Sequence, residues 1–105
     1  MEQLNKVELI GIIGTVRVQT VLDTRYANMS VATNFAYKDK EGKPVVETTW
    51  HNVKVWESPD IKCLDKLKKG EKIHILGRIR IRNYTDQNGN YRMVTEILAN
   101  KVKIL

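Results

Sequence analysis

The sequence predicts a domain that is all-β apart from one short helix: a small barrel of five strands, with the helix between the third and the fourth strand. Three observations support this prediction. The segments between glycines and prolines are short and rich in β-branched residues. A single stretch has apolar residues at helical spacing, and a chain of 105 residues is too short for more than one core. We therefore expect residues 1–105 to form one domain.

The first strand is predicted over residues 6–18, where β-branched residues and glycines disfavour a helix. Gly11 and Gly14 indicate that this strand bends strongly. Its apolar side chains occupy both faces: Leu9, Ile10, Ile12 and Ile13. One face is expected to fill the barrel and the other to meet a second copy of the chain. The alternative is that a helix or loop of the same chain covers this second face.

The second and third strands are predicted to form a hairpin. Residues 27–37 alternate between apolar and polar, and a polar turn over residues 38–44 leads into a strand over residues 45–56. If Val53 and Val55 face the core, the opposite face holds Thr48, Trp50, Asn52, Lys54 and Trp56. Aromatic rings alternating with basic residues are typical of a base-stacking platform. Burial of the rings beneath a helix or another subunit is the alternative.

A helix of about ten residues is predicted next. Its signals are a capping serine followed by proline and an acid, apolar residues at helical spacing and a closing glycine: Ser58, Pro59, Asp60, Ile61, Leu64, Leu67 and Gly70. Residues 71–84 and 91–104 return to strand, with a two-residue turn signal at Asn88-Gly89 between them. This order of elements predicts an OB-fold, a Greek-key barrel that often binds oligonucleotides.

The net charge indicates the kind of partner. Eighteen Lys and Arg against twelve Asp and Glu give a formal net charge of +6 and a pI near 9.6. This favours nucleic acid over an anionic membrane, although charge that merely aids solubility is the alternative. There is no run of eighteen apolar residues, no secretory signal and one cysteine, Cys63. We therefore expect a cytoplasmic protein without a disulfide or a membrane span.

The sequence offers no site for catalysis. His51 and His74 lack metal-binding spacing, no glycine-rich phosphate loop is present, and the carboxylates are scattered. Cys63 is interpreted as a small, half-buried thiol within the helix. We therefore expect no enzyme activity, metal, cofactor or small-molecule substrate. A nuclease built on the same barrel is a distant alternative, since it would need clustered carboxylates.

The fourth strand separates apolar from basic residues. Ile73, Ile75, Ile79 and Ile81 lie on one parity, and Arg78, Arg80, Arg82 and Tyr84 lie on the other. Three arginines in line repel one another, a cost that an anion running along the row would offset. Arginine and tyrosine also stack on bases. The pattern therefore favours a nucleic-acid surface, with a solvated barrel exterior as the alternative.

Five stretches, in order and with matching spacing, give the chain a family resemblance. They are Asn5-Lys6-Val7 with residues 9–11, then residues 27–34, 47–53, 67–70 and 77–86 continuing to 97. With these stretches the chain resembles the bacterial single-stranded DNA-binding protein (SSB) family over nearly its whole length. The resemblance implies an OB-fold that assembles as a homotetramer, with a dimer possible, and is wrapped by single-stranded DNA.

The resemblance also implies site residues. The stacking aromatics fall on Tyr37, Trp50, Trp56 and Tyr84, and the backbone-contacting basic positions on Lys6, Lys38, Lys40, Lys69, Arg80 and Arg82. Strand parity adds Lys54 and Arg78, but it places Tyr37 with Phe35 on the apolar side. His51 matches a subunit-interface position. Two departures stand out: residues 15–26 lack prolines and are interpreted as strand, and the sequence ends at Leu105 without the family's acidic tail.

These observations together predict a function. We expect a non-catalytic protein of the bacterial cytoplasm, associated with the nucleoid. It would bind and protect single-stranded DNA with little sequence preference during replication, recombination and repair. The alternative is an SSB-like accessory protein of the primosome type, a dimer that acts mainly through protein contacts.

Overall fold

A computed structural model describes residues 2–105. It contains β1 (Val7–Val21), β2 (Thr24–Lys38), β3 (Pro44–Trp56), β4 (Lys72–Thr85) and β5 (Tyr91–Ile104). The strands close into a barrel in the order β1-β2-β3-β5-β4. Strands β3 and β5 pair in parallel, and the other neighbours pair antiparallel. The predicted all-β class with five strands is confirmed.

Strand β1 belongs to two ladders, which explains its glycines. Residues 7–12 pair with β4 and residues 12–21 pair with β2, with a register shift between Ile13 and Thr15. A Cβ at Gly11 would overlap the Ala32 carbonyl and lie 2.9 Å from the Val31 side chain. Glycine therefore allows β1 to cross β2 closely as it bends, as predicted. The proline-free segment is strand up to Val21, which also agrees with the sequence.

The two long hairpins end in the same kind of turn. Asp39 begins one turn and Asp86 the other, and each Oδ1 accepts two backbone N–H bonds of 2.9 Å from the residues two and four positions later. Gly42 and Gly89 each take φ of +79°. The β4–β5 loop is therefore longer than the two-residue turn predicted at Asn88-Gly89, and that prediction is wrong. The Asp side chain organises the extra residues.

The segment between β3 and β4 contains a helix, but a much shorter one than predicted. A 3-10 helix, η1, spans Leu64–Lys66. Ser58 Oγ accepts bonds of 3.2 Å from the N–H groups of Asp60 and Ile61, and Ser58 bridges Ile61. These bonds form a tight local turn that takes the place of a first α-helical turn. The ten-residue length is therefore wrong, although the apolar residues of the pattern are buried.

The core lies inside the closed part of the barrel. Its buried members come from all five strands and from the segment around η1: Ile13, Ala27, Met29, Val31, Val53, Val55, Ile61, Leu64, Leu67, Ile73, Ile75, Ile97 and Ala99. The β2–β3 and β4–β5 hairpins extend beyond this core. Phe35, Ile79 and Ile81 are therefore exposed although their parity matches that of core residues.

The outer face of the first half of β1 stays uncovered. Ile10 is 55% and Ile12 is 41% exposed, while Ile13 is in the core. No helix or loop of the described residues shields these two isoleucines, so the alternative of cover within the chain is wrong. Cys63 is half-buried, as predicted. Within residues 2–105, no helix has the length and hydrophobicity that a membrane crossing requires.

Candidate nucleic-acid interface

One outward face of the barrel holds most of the predicted site residues. Val53 and Val55 are buried, which places Trp50, Lys54 and Trp56 outside, as strand parity predicted. Trp50 pairs with Ala32 of β2, and Trp56 pairs with Tyr26. The two tryptophans are six residues apart on one strand, which spans about 20 Å. They therefore mark two ends of one outer surface.

Trp50 lies open to solvent over a glycine. Its side chain is 61% exposed. A Cβ at Gly14 would overlap the indole, 2.8 Å from Cη2, and would lie 3.0 Å from Ser30 Oγ. The absence of a side chain at Gly14 therefore lets the indole pack directly on the β1 backbone, while the opposite surface of the ring stays uncovered. A ring held in this way can stack on a base.

Trp56 belongs to a small cluster, here named the Trp56 patch, made of Tyr26, Lys54 and Trp56. The ring centroids of Tyr26 and Trp56 are 4.8 Å apart. Lys54 Nζ lies 4.6 Å from the Tyr26 centroid and 4.9 Å from the Trp56 centroid. Both distances are within the range of cation–π attraction. Trp56 is half-buried in this arrangement, and it keeps part of its ring surface exposed beside a positive charge.

A groove of about 480 Å³, here named the central groove, lies on the same face. Its polar lining residues come from all five strands: Thr15, Arg17, Asn28, Ser30, Asn52, Arg82 and Glu96. Arg17 lies in the half of β1 that pairs with β2, and Arg82 lies in β4 opposite Val94 of β5, so β2, β3 and β5 separate the two arginines along this part of the sheet. Neutral hydrogen-bonding side chains from β2 and β3 occupy the floor between them. This lining suits a ligand with anionic groups at its sides and polar edges below.

The three arginines of β4 differ in their partners. Arg80 donates to Glu96 Oε1 from Nε at 3.0 Å and also from Nη2. Arg82 Nε lies 3.8 Å from the same oxygen, and its guanidinium carbon lies 5.6 Å from the Tyr84 ring centroid. Arg78 is exposed. The row is therefore not uniformly available to an anion, because a carboxylate occupies its middle.

A second groove, of about 590 Å³, joins three more predicted residues. Lys6, Trp56 and Arg78 line it together with residues 98–101 of β5. The amide of Asn5 fixes the entry to β1, donating 2.7 Å to the Ile79 carbonyl and accepting 2.9 Å from the Ile79 N–H. The N-terminal segment is thereby tied to β4, which brings Lys6 beside Trp56.

Four predicted residues lie away from the face that carries the tryptophans and the arginines of β4. Tyr37 pairs with Val45, and its ring centroid is 6.2 Å from that of Phe35, on the opposite parity to Trp50. The sequence parity of Tyr37 is thus confirmed. Lys38 and Lys40 are exposed at the end of the β2–β3 hairpin, and Lys69 is exposed in the turn before β4. Reaching them would require a long ligand path around the barrel.

His51 and Cys63 show no sign of a catalytic arrangement in the described residues. His51 is half-buried, and its Nε2 lies 2.8 Å from Thr33 Oγ1. Among residues 2–105, no three His, Cys, Asp or Glu side chains converge on a possible metal position.

Two acidic side chains contact Arg25, which donates hydrogen bonds to Glu57 and Asp65. Those bonds lower the pKa of both carboxyl groups and hold the η1 segment against β2.

Several interface residues were missing from the sequence prediction. Tyr26, Arg17 and Glu96 lie in the two surfaces just described. Arg17 lies inside the first predicted strand, and Tyr26 lies in residues 15–26, which were also interpreted as strand, but no cross-strand neighbour was assigned to either residue. Alternation from Asn28 places Tyr26 on the tryptophan face.

The single-strand binding protein family model matches residues 4–105. The chain belongs to this family. Among curated relatives, Single-stranded DNA-binding protein 1 of Xylella fastidiosa is 38% identical, covering 100% of this chain and 79% of its own length. Single-stranded DNA-binding protein of Neisseria meningitidis is 36% identical, covering 97% of this chain and 60% of its own length.

Two solved structures share the barrel. The Plasmodium falciparum SSB complex with ssDNA superposes with a TM-score of 0.85 at 27% identity, covering 100% of this chain and 96% of that chain. A Thermus aquaticus single-stranded DNA binding protein variant gives a TM-score of 0.81 at 21% identity, covering 97% of this chain and 50% of that chain. The predicted OB-fold and the resemblance to this family are thus confirmed.

Proposed function

We propose that the chain binds single-stranded DNA with little sequence preference. The observation that supports this most strongly is the pair Trp50 and Trp56, outward on one strand face, with a groove edged by arginines on the same face. Every base has a π-face, so stacking on such rings does not depend on sequence. A duplex hides those π-faces within its stack, which is why the rings favour an unpaired strand.

Phosphate contacts would supply the remaining affinity. Arg17 and Arg82 edge the central groove, Lys54 lies between the rings of the Trp56 patch, and Lys6 and Arg78 line the second groove. Each phosphate neutralised on a single strand contributes about 0.7 to the salt slope, which is the steepness with which the logarithm of the binding constant falls with the logarithm of the salt concentration. Tyr84 extends the surface along β4 beside Arg82. Tyr37, Lys38, Lys40 and Lys69 would be met only by a strand that wraps beyond this face.

Intrinsic fluorescence tests the proposal, because the chain has two tryptophans. Poly-dT should quench their emission, saturate at a fixed nucleotide-to-protein ratio and lose the effect when salt is added. Quenching by a duplex of the same length should be much weaker, since its bases are not free to stack. Emission that poly-dT leaves unchanged at low salt would contradict the proposal.

A homo-oligomer is part of the same proposal, with a tetramer as the expected state. Ile10 and Ile12 are exposed on the outer face of β1, beside the pair formed by Glu8 and His74 at 2.6 Å. An apolar strand face of this kind gains from burial against a second copy. Light scattering on the purified chain should give a mass of at least two copies. Ile10→Glu should reduce that mass, while Val18→Glu, in the other half of β1, should not. A monomer at micromolar concentration contradicts this part.

The biological role proposed is protection of single strands in the bacterial cytoplasm, at the nucleoid, during replication, recombination and repair, without catalysis. Incubation with labelled single strands and magnesium should leave them at full length, and shortened strands would overturn the non-enzymatic role. The uncovered Ile10 and Ile12 also favour a second candidate, an accessory dimer that acts through protein contacts. A dimeric mass combined with weak poly-dT quenching would support that candidate.

A further inference from the structure

A buried acid lies in the middle of the basic face. The Glu96 side chain is 6% exposed, whereas those of Arg80 and Arg82 are 34% and 50% exposed. Both bonds from Arg80 end on Glu96 Oε1. Among the described residues that line the central groove, Glu96 is the one acid. Its position beneath a surface suited to phosphates requires an explanation.

The pair of Arg80 and Glu96 carries no net charge. A phosphate could bind Arg80 fully only by replacing its bonds to Glu96. That exchange would leave the buried Glu96 carboxylate without its hydrogen bonds and with only the more distant Arg82, whose Nε lies 3.8 Å from Oε1, which is unfavourable. Arg80 is therefore expected to stay with Glu96 when a nucleic-acid strand approaches. Arg82 and Arg17 have more exposed positions at the groove edges, and they keep charge available.

The groove floor is accordingly unsuited to phosphate. Asn28, Ser30 and Asn52 are neutral, and Glu96 is negative. Amide, hydroxyl and carboxylate groups do bond base edges, which carry both donors and acceptors. A strand in this groove would then place its bases toward the floor and its phosphates toward the arginines at the two edges.

We propose that Glu96 is a positioning residue that withholds Arg80 from phosphate and keeps the phosphates of a bound strand at the edges of the central groove. This inference rests on the proposed binding of single-stranded DNA. It assigns the phosphate contacts here to Arg17 and Arg82 and removes Arg80 from the set that the sequence predicted. The negative charge weakens binding, and in return it orients the strand.

The salt dependence of dT-oligomer binding tests this assignment. Glu96→Gln keeps an oxygen acceptor for Arg80 but removes the charge, so Arg80 becomes able to bind a phosphate. The slope of the logarithm of the binding constant against the logarithm of the salt concentration should be steeper by about 0.7 for Glu96→Gln than for the wild-type chain. A fourfold reduction in salt should then strengthen the binding of this variant about 2.6-fold more than that of the wild type. Arg82→Gln is the matched control and should flatten the slope by about 0.7.

A second variant keeps the test decisive if Glu96→Gln folds poorly. Replacing a buried ion pair by apolar residues of similar volume is often neutral for stability or favourable. Arg80→Met combined with Glu96→Met should therefore fold and keep the wild-type salt slope, because the pair it removes binds no phosphate. Melting temperatures of all variants verify that each measured slope belongs to folded protein.

Two results would overturn the role of Glu96. One is a slope that Glu96→Gln leaves unchanged or flattens, because removal of the carboxylate charge would then free no additional cation for a phosphate. The other is a loss of about 0.7 in the slope of the double methionine variant. Either result, with wild-type binding intact, leaves the proposed function standing. A wild-type chain that fails to bind dT oligomers at low salt would overturn both proposals.

Discussion

The two tryptophans of β3 share a strand face but have different surroundings. Trp50 is mostly exposed and rests on the backbone at Gly14, and no aromatic ring of residues 2–105 packs against it. Trp56 is half-buried and contacts Tyr26 and Lys54. One ring is thus free to stack on a base, while the other is already part of a packed cluster. Parity alone cannot separate these two situations, because it fixes a face and not the neighbours on that face.

The largest expected effect comes from removing each ring in turn. Trp50→Ala should weaken poly-dT binding by about 1–3 kcal/mol, the usual value of one stacked base, with little change in melting temperature. Trp56→Ala should weaken binding by a similar amount and should also lower the melting temperature, because the Tyr26 ring and Lys54 lose their partner. Titrations and thermal melts on the same two samples measure both quantities.

A combined outcome would contradict the contrast between the rings. If Trp50→Ala is strongly destabilised and still binds poly-dT normally, Trp50 is a structural residue and not a stacking platform. A core tryptophan loses about 3–5 kcal/mol of stability on truncation, which sets the scale for that comparison.

A smaller effect on DNA binding is expected from a substitution at Gly14, on which the Trp50 indole packs. Gly14→Ala places a Cβ where the indole now lies, so the ring must tilt away from β1. Binding of poly-dT should weaken several-fold. The effect should be smaller than that of Trp50→Ala, because loss of the whole ring sets the upper limit. Tryptophan emission of the free protein should change as well. Thr20→Ala is the control, since Thr20 is an exposed residue of β1 that lines neither groove, and its replacement leaves the space over Gly14 unchanged. Equal effects of the two variants would exclude a specific role for Gly14.

The Trp56 patch can be tested through its lysine. Lys54→Met keeps the length of the side chain and removes the charge that lies between the two rings. Loss of an exposed cation–π contact should cost about 0.5–1 kcal/mol of stability, and the salt slope should flatten by about 0.7. Lys62→Met, on the exposed segment after β3, should change neither quantity. A salt slope unaffected by Lys54→Met would place the phosphates elsewhere.

The smallest effect concerns stability in acid and leaves the interface intact. Hydrogen bonds from Arg25 hold the pKa of the Glu57 carboxyl and that of the Asp65 carboxyl below their usual values. Stability from these bonds is therefore present above the unfolded pKa values and is lost as the pH falls through the folded ones. The melting temperature should be flat near neutral pH and should decline once the pH falls below the usual pKa range of a carboxyl group, about 4.

Arg25→Met identifies the source of that decline. The variant should melt lower than the wild type at pH 7, and the difference should narrow as the pH falls, because protonated carboxyl groups no longer bond the guanidinium. Arg17→Met, at an arginine for which no carboxylate partner is seen in residues 2–105, should show no such convergence. A difference that stays constant with pH would mean that Arg25 acts through packing alone.

Strand parity accounts for most of what the sequence predicted correctly. Alternation around Val53 and Val55 places both tryptophans outside, and alternation around Ile73 and Ile75 places the arginines of β4 on the same side. These predictions need no knowledge of neighbouring strands. They are therefore robust to small errors in loop length, as the wrong turn between β4 and β5 demonstrates.

The sequence did not predict the cross-strand pairs, because the pairing of two strands depends on the geometry of the turn between them. A two-residue turn at Asn88-Gly89 would place Arg80 opposite Ile97. In the structure, the Asp86 turn adds residues to the loop, and Arg80 lies opposite Glu96. A shift of one residue thus conceals the ion pair in the central groove. The length of the helix was misjudged because Ser58 Oγ makes the bonds of a helix N-cap, but the backbone then bridges Ser58 to Ile61 and does not continue as an α-helix.

The parallel ladder between β3 and β5 runs from Val53 opposite Ile97 to Val55 opposite Ala99 and closes the barrel. The antiparallel ladders on either side run for most of the length of two hairpins. Such hairpins form from local contacts, whereas this closure joins distant parts of the chain and is expected to open most readily. Asn52 and Glu96 lie beside this seam, beneath the central groove. A strand held between Arg17 and Arg82 would bridge the seam. Amide hydrogen exchange at residues 53–55 should therefore slow when the groove is filled.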